Sequence, residues 1–368
     1  MNKTYMRLNS QALLALSFAA AAVILSSCSG GLQSSGPPQT ASTSLGRTTL
    51  PTLERLTSVA VRPPVAIHRD ARKSWISPDV NRTPRLFFVS DSGTNDVEIF
   101  TLPDFVPKGT ITGFSEPQGM CSGTGGTVWV ANTGTNQVMQ PSHTGKLLNT
   151  IDDAFGYPVG CAVNAANGDL AVLNIFDFSG AGGAFVYSCP SCTPTELTIP
   201  DSYYYYYGAY DPNGDLFVDG ANSSQSSTFG EIPSGSTTGH LITVKTSGGK
   251  IHSPAIVQWY KPGNYLVATG QVCNTKDANC LDWVKISGSK GTIIGQTDLE
   301  NPSGGPICGR LTVVLDPRNE KNVVGVNVNT CGSGSSLDRW LYPAGGVPIN
   351  SAEPNSLSEP LGGAISVK

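Results

Sequence analysis

Five polar residues recur along this chain at a spacing that invites a chemical reading. Asp91, Asn132, Asn174 and Asp219 each end a short apolar run, at steps of 41, 42 and 45 residues, and Asn327 ends a looser copy further on. Equivalent positions in a cyclic repeat form a ring. A ring of carboxylates and amides offers the oxygen ligands that Ca2+ or another divalent cation takes. Asp91, Asn132, Asn174 and Asp219 are therefore candidate metal ligands. The competing reading of the same residues is mechanical: an Asp or Asn after a strand fixes the following loop by accepting backbone N–H bonds.

Two other groups have the types for chemistry or binding. Tyr203 to Tyr207 form a run of five. On a strand Tyr203, Tyr205 and Tyr207 share one face, and aromatic faces with hydroxyl tips suit a protein, peptide or carbohydrate ligand. The alternative is packing between structural units. The chain has nine cysteines. Cys28 is set apart below; the other eight are disulfide candidates. Cys189 and Cys192, and Cys273 and Cys280, are close in sequence. Cys121 and Cys161 occupy similar places in neighbouring repeats, which leaves Cys308 and Cys331. Eight cysteines allow 105 pairings, so spacing alone fixes none of them. A redox role for Cys189-Pro190-Ser191-Cys192 lacks the βαβ context it would need. The four histidines, His68, His143, His240 and His252, are scattered. No nucleophile elbow, phosphate loop or HExxH motif is present.

The elements that must position these residues are strands. The runs are Leu86-Phe87-Phe88-Val89-Ser90-Asp91, Val128-Trp129-Val130-Ala131-Asn132, Leu170-Ala171-Val172-Leu173-Asn174 and Leu216-Phe217-Val218-Asp219; Tyr265–Thr269 and Val323–Asn327 are looser copies. Turns precede them, such as Asn167-Gly168-Asp169, Asn213-Gly214-Asp215 and Pro262-Gly263-Asn264, whose Gly and Asn tolerate positive φ. Before the turns lies another run, as in Pro117-Gln118-Gly119-Met120-Cys121 and Pro158-Val159-Gly160-Cys161. Its small residues suit a crowded innermost strand. A period near 40–45 with several short strands per unit marks a β-propeller. The segment Pro360-Leu361-Gly362-Gly363-Ala364-Ile365-Ser366-Val367 reads as one more innermost strand, and the run from Arg85 lacks its own. The C-terminal strand is thus expected to complete the first blade, giving six blades, or seven if residues 51–84 hide further strands.

The Pro-x-Gly opening, the run ending in Ser90-Asp91 and the following Asn95-Asp96-Val97-Glu98-Ile99-Phe100 resemble NHL-type repeats over roughly residues 85–368. The resemblance extends to bacterial lipoproteins built of such repeats. It implies the fold and leaves function open, since this architecture hosts hydrolases, lyases and binding scaffolds. Six-bladed lactonases of the gluconolactonase type are similar in holding one metal with Glu, Asn and Asp. An early-blade Glu to match them is not evident here.

The N-terminus adds a location. Lys3 and Arg7 precede an apolar run from about Ala12 to Leu25, too short for a membrane span and laid out as a signal peptide. Leu25-Ser26-Ser27-Cys28 resembles a bacterial lipobox, which implies lipidation of Cys28, and Ser29 implies the outer membrane if the host has one. The expected organisation is a signal peptide (1–27), a lipidated Cys and disordered Ser/Gly/Pro-rich tether (28–50), an N-terminal extension (51–84) and the propeller (85–368). The net charge is −4 with only 14% charged residues, which excludes a phosphate-neutralising surface and so nucleic acid. We expect a monomeric, extracytoplasmic, lipid-anchored binding or scaffold module with no cofactor. The alternative is a metal-dependent, lactonase-like hydrolase or lyase using the polar ring.

Overall fold

The computed structural model describes residues 73–177, 180–245, 254–270, 279–307, 310–318, 321–328 and 334–368. All sheets are small and each is one blade. The five residue runs that end in Asp or Asn, and Tyr265–Gly270, are the second strands of six blades, numbered here in chain order. Their innermost strands are Pro360–Val367 in blade one, Pro117–Ser122 in two, Gly156–Val163 in three, Tyr204–Tyr210 in four, Val257–Tyr260 in five and Arg310–Leu315 in six.

Closure is as the sequence implied. Pro360–Val367 pairs antiparallel with Arg85–Asp91, Val367 opposite Arg85 and Pro360 opposite Asp91. Hydrogen bonding across the ends removes two unpaired sheet edges. The extension contributes as well: Trp75–Ile76 adds an outermost fifth strand to blade one by pairing with Thr110 and Gly109. No seventh blade is found among the described residues. Cys28 and residues 1–72 lie outside them.

The second strands are nearly continuous in apolar residues because both faces of every blade are covered. Alternation sends successive side chains to opposite neighbours. Leu86 and Phe88 pack toward Val128 and Val130 of blade two. Phe87 and Val89 pack toward Val324 and Val326 of blade six. The same logic joins Leu173 to Tyr205 and Val218, Phe217 to Leu266 and Ala268, and Val267 to Val313 and Trp340. Phe87, Phe88 and Trp340 are fully buried, and each such side chain contributes about 1.5–3 kcal/mol or more of transfer free energy.

The Pro-x-Gly opening has a steric cause. A Cβ on Gly119 would lie 2.4 Å from the Val159 carbonyl oxygen, on Gly160 2.1 Å from that of Tyr206, and on Gly362 2.2 Å from that of Gln118. Neighbouring innermost strands touch backbone to backbone at these three glycines, so no side chain fits there.

Candidate functional site

The polar ring comes first. Asp91 is fully buried. Its Oδ1 accepts the N–H groups of Gly93 (2.9 Å), Thr94 (3.2 Å) and Glu359 (2.9 Å), and its Oδ2 accepts that of Ser358 (2.5 Å). Asn132 accepts the N–H of Ser115 at 2.7 Å and donates to Thr135 Oγ1 at 2.6 Å. Asn174 donates to Asp153 Oδ2 at 2.9 Å, and Asp219 Oδ2 accepts the N–H of Ala255 at 2.8 Å. Each of these four groups is tied to a segment that leads into an innermost strand. Asp91 spends both oxygens on backbone donors. The neutral side chain of Asn327 is buried with neither amide atom hydrogen-bonded. Among the described residues no group of three or more His, Cys, Asp or Glu is placed to hold a metal ion. Asp91, Asn132 and Asp219 accept backbone N–H groups, while Asn174 donates to a carboxylate.

Asp153, which receives the Asn174 bond, is itself buried, and burial pushes its carboxyl above the ordinary range against the bonds from Asn174, Phe155 and Tyr187. It sits where the chain passes from blade two to blade three, and no pattern in the sequence marked it.

The tyrosine run is divided by the structure. Tyr205 is in the core between blades three and four, where its hydroxyl accepts the N–H of Ile199 at 2.7 Å. Tyr203 is half-buried, edge-on to Tyr204 at 4.9 Å. Tyr207 turns toward the axis. Its ring lies 3.2 Å from the Cβ position of Gly119 and 3.4 Å from that of Gly160. A bulge between Tyr205 and Tyr207 accounts for this split, because one inserted residue reverses the facing of everything beyond it.

Cys121 and Cys161 form a disulfide between the innermost strands of blades two and three. Cys189 and Cys192 form a second one in the loop after Gly183–Tyr187. Cys280 is disulfide-bonded as well. Cys273, Cys308 and Cys331 lie outside the described residues. Disulfides belong to an oxidising, extracytoplasmic compartment. No described helix is long and apolar enough to cross a membrane.

What the six innermost strands enclose is a funnel of about 290 Å³ on the propeller axis. Near the start of their strands Gln118, Val159, Leu311 and Leu361 are buried, and Tyr207 lines the cavity. The wall above them includes Met120, the Cys121–Cys161 disulfide, Ala162, Tyr210, Trp259, Val313 and Ala364, and the cavity reaches Pro317 on the face where the hairpin turns lie. Among the described residues that line it there is no Asp, Glu, Lys, Arg or His.

Much of the polar capacity in the wall is already used between blades. Gln258 donates to the Val313 carbonyl and accepts the N–H of Leu315 at 2.6 Å. Thr312 donates to the Leu361 carbonyl at 3.0 Å, and Ser122 to that of Ile365 at 2.8 Å. Such bonds satisfy edge groups that would otherwise face the channel. The indole of Trp259 stacks on Phe217 at 5.7 Å and its Nε1 has no hydrogen-bond partner. Burial, with the Asp169 carboxylate adding to it, holds the Tyr210 hydroxyl well above its ordinary pKa, so it stays protonated. A mainly apolar, aromatic cavity with a few donors is the usual form of a small-molecule site.

No family model matches this chain, and no curated protein sequence matches it. Among solved structures it is similar to a chain of the nidogen/laminin complex (12% identity, TM-score 0.57), covering 77% of this chain and 98% of that one. It is also similar to a protein of unknown function from Bacteroides caccae (13% identity, TM-score 0.52), over 77% and 100% of the two chains. TolB from Acinetobacter baumannii is a third (12% identity, TM-score 0.53), over 77% and 66%. At these identities the likeness is one of fold. The fold and its axial site define the chain as a six-bladed β-propeller.

Proposed function

We propose that this protein is a lipid-anchored, extracytoplasmic binding propeller that takes a ligand with an apolar body into its axial funnel. The observation that carries the reading is the funnel wall. It is supplied by all six innermost strands, is lined by Met120, Tyr210 and Trp259, and among the described residues has no acidic or basic side chain. An apolar wall favours a ligand body that leaves water on binding. The lipobox-like Leu25-Ser26-Ser27-Cys28 supports attachment through Cys28, with residues 29–50 as a tether. The Pro-x-Gly repeats support kinship with NHL-type propellers.

The test is titration with the uncharged probe N-phenyl-1-naphthylamine, read by its emission and by quenching of tryptophan fluorescence. Met120→Trp, which fills the funnel from a half-buried wall position, is expected to weaken binding by roughly tenfold, the scale of about 1.4 kcal/mol. Binding that ignores Met120→Trp and Trp259→Ala alike overturns the reading. For the anchor, Cys28→Ala should move the protein from the membrane fraction to the soluble one.

A further inference from the structure

A second cavity, of about 200 Å³, lies between blades two and three on the face where the hairpin turns lie. Thr124 in the blade-two turn and Gly168 in the blade-three turn both border it. Its wall changes character from the inside outward. Trp129, Ile151 and Leu170 are buried and mainly apolar. Gln140 and Asn149, from the two outer strands Gln137–Pro141 and Leu147–Asp152 of blade two, are half-buried. Thr124 and Ser188 are exposed at the rim. Among the described residues that line it there is no Asp, Glu, Lys, Arg or His.

The polar groups of this wall are held in place and still have bonding capacity. Gln140 Nε2 donates to Thr127 Oγ1 at 3.1 Å, and Asn149 Nδ2 donates to Gln140 Oε1 at 2.6 Å. These bonds orient both amides and use one N–H of each. A second N–H on each amide and the Asn149 Oδ1 acceptor are left over. Among the described residues the Trp129 indole N–H and the Ser188 hydroxyl have no hydrogen-bond partner either. The loop that begins at Ser188 is tied down at once by the Cys189–Cys192 disulfide.

We propose that this cavity is a binding site for one neutral sugar ring. A pyranose has C–H faces and a border of hydroxyl groups, each of which both donates and accepts. Its C–H surface lies toward Ile151 and Leu170, and its hydroxyls toward Gln140, Asn149 and the Trp129 N–H. A charged ligand would give up its hydration with no counter-charge in the wall. A plain hydrophobe would strip water from the two amides and leave their free N–H and C=O groups unpaired. The volume is below the roughly 300 Å³ at which drug-sized sites begin, which suits a single ring. Val163 lines this cavity and the funnel alike, so each needs its own reporter. Trp129 serves here and Trp259 in the funnel, and the sugar site stands whether or not the funnel takes an apolar ligand.

The experiment follows the indole N–H resonances of the 15N-labelled protein during titration with methyl β-glucopyranoside, methyl β-galactopyranoside and N-acetylglucosamine. Trp129→Phe and Trp259→Phe identify the two reporters. At least one of the three sugars should move the Trp129 resonance saturably and leave that of Trp259 in place. Gln140→Leu/Asn149→Leu removes both amides together and should weaken that binding by about tenfold, the scale of one or two lost hydrogen bonds. Thr124→Phe, at an exposed rim position, should obstruct entry and weaken it without lowering the melting midpoint. If none of the sugars moves the Trp129 resonance, or if they move that of Trp259 instead, the sugar site is refuted. Binding that is unchanged in both Gln140→Leu/Asn149→Leu and Thr124→Phe refutes it as well. N-phenyl-1-naphthylamine should move the Trp259 resonance alone, and its failure to do so counts against the funnel reading only.

Discussion

The Cys121–Cys161 and Cys189–Cys192 disulfides should differ in what they hold. Cys121 and Cys161 are 40 residues apart in sequence, and Cys189 and Cys192 only three. In the loop-closure account the larger loop removes about 4 kcal/mol of chain entropy from the unfolded state, and the smaller one under about 2 kcal/mol. With an unfolding entropy of roughly 600 cal/mol/K for a propeller of roughly 290 residues, these correspond to about 6 °C and about 3 °C in the melting midpoint. The larger figure is a lower bound for Cys121→Ala/Cys161→Ala, which also thins the funnel wall. The assay is scanning calorimetry of that double variant and of Cys189→Ala/Cys192→Ala at one scan rate. If the two lose the same, or if the Cys189/Cys192 variant loses more, the argument that the cross-blade bridge restrains the ring is wrong.

Three other outcomes follow from the geometry. Gly160→Ala forces a Cβ against the Tyr206 carbonyl and should destabilise by about 1–3 kcal/mol, seen as a lower urea midpoint; an unchanged midpoint would mean that the innermost strands are free to separate. His143 is held below its ordinary pKa of 6.5 by burial, with Lys368 adding to this and the Thr83 carbonyl opposing it. The unfolded chain therefore takes up this proton more readily, so the contribution is complete above about pH 6.5 and is lost as pH falls below it toward the lowered folded value. His143→Gln should accordingly flatten the fall in melting midpoint between about pH 7 and pH 5. Treatment with EDTA should leave the midpoint unmoved, since the oxygens of Asp91 are occupied by backbone donors; a lower midpoint after chelation would return the polar ring to the metal reading.

The architecture was legible because the propeller repeats its local rules. Apolar runs such as Leu86–Asp91, positive-φ turns such as that ending at Asn264 (φ 52°), and Pro-x-Gly openings each report a local constraint. The same regularity made closure by Pro360–Val367 deducible from one surplus and one missing strand. The axial site was not legible. Its wall is built by one short stretch from each of six blades, and membership depends on which residues reach the axis after closure. Tyr205 and Tyr207 show the limit: alternation alone put both on one face, and a single bulge sent one to the core and the other to the axis. Gln258, Thr312 and Ser122 read as ordinary strand residues because their partners are on the next blade. The polar ring was seen at the right positions, yet whether such groups turn to a shared centre or to the nearest loop depends on backbone N–H groups that only the folded ring brings near.

Closure by strands from the two ends of the propeller also has a kinetic meaning. Arg85 pairs with Val367, so the contact that seals the ring is among the most distant in sequence that the fold makes. Contacts of such separation form slowly. Until Pro360–Val367 docks, the strand Arg85–Asp91 presents an open hydrogen-bonding edge with Phe87 and Phe88 beside it, the kind of surface that recruits other chains. A chain exported unfolded would cross the membrane before either end could find the other. The hazardous interval then falls after translocation, when an incomplete ring is most open to chaperones, to proteases and to its own copies.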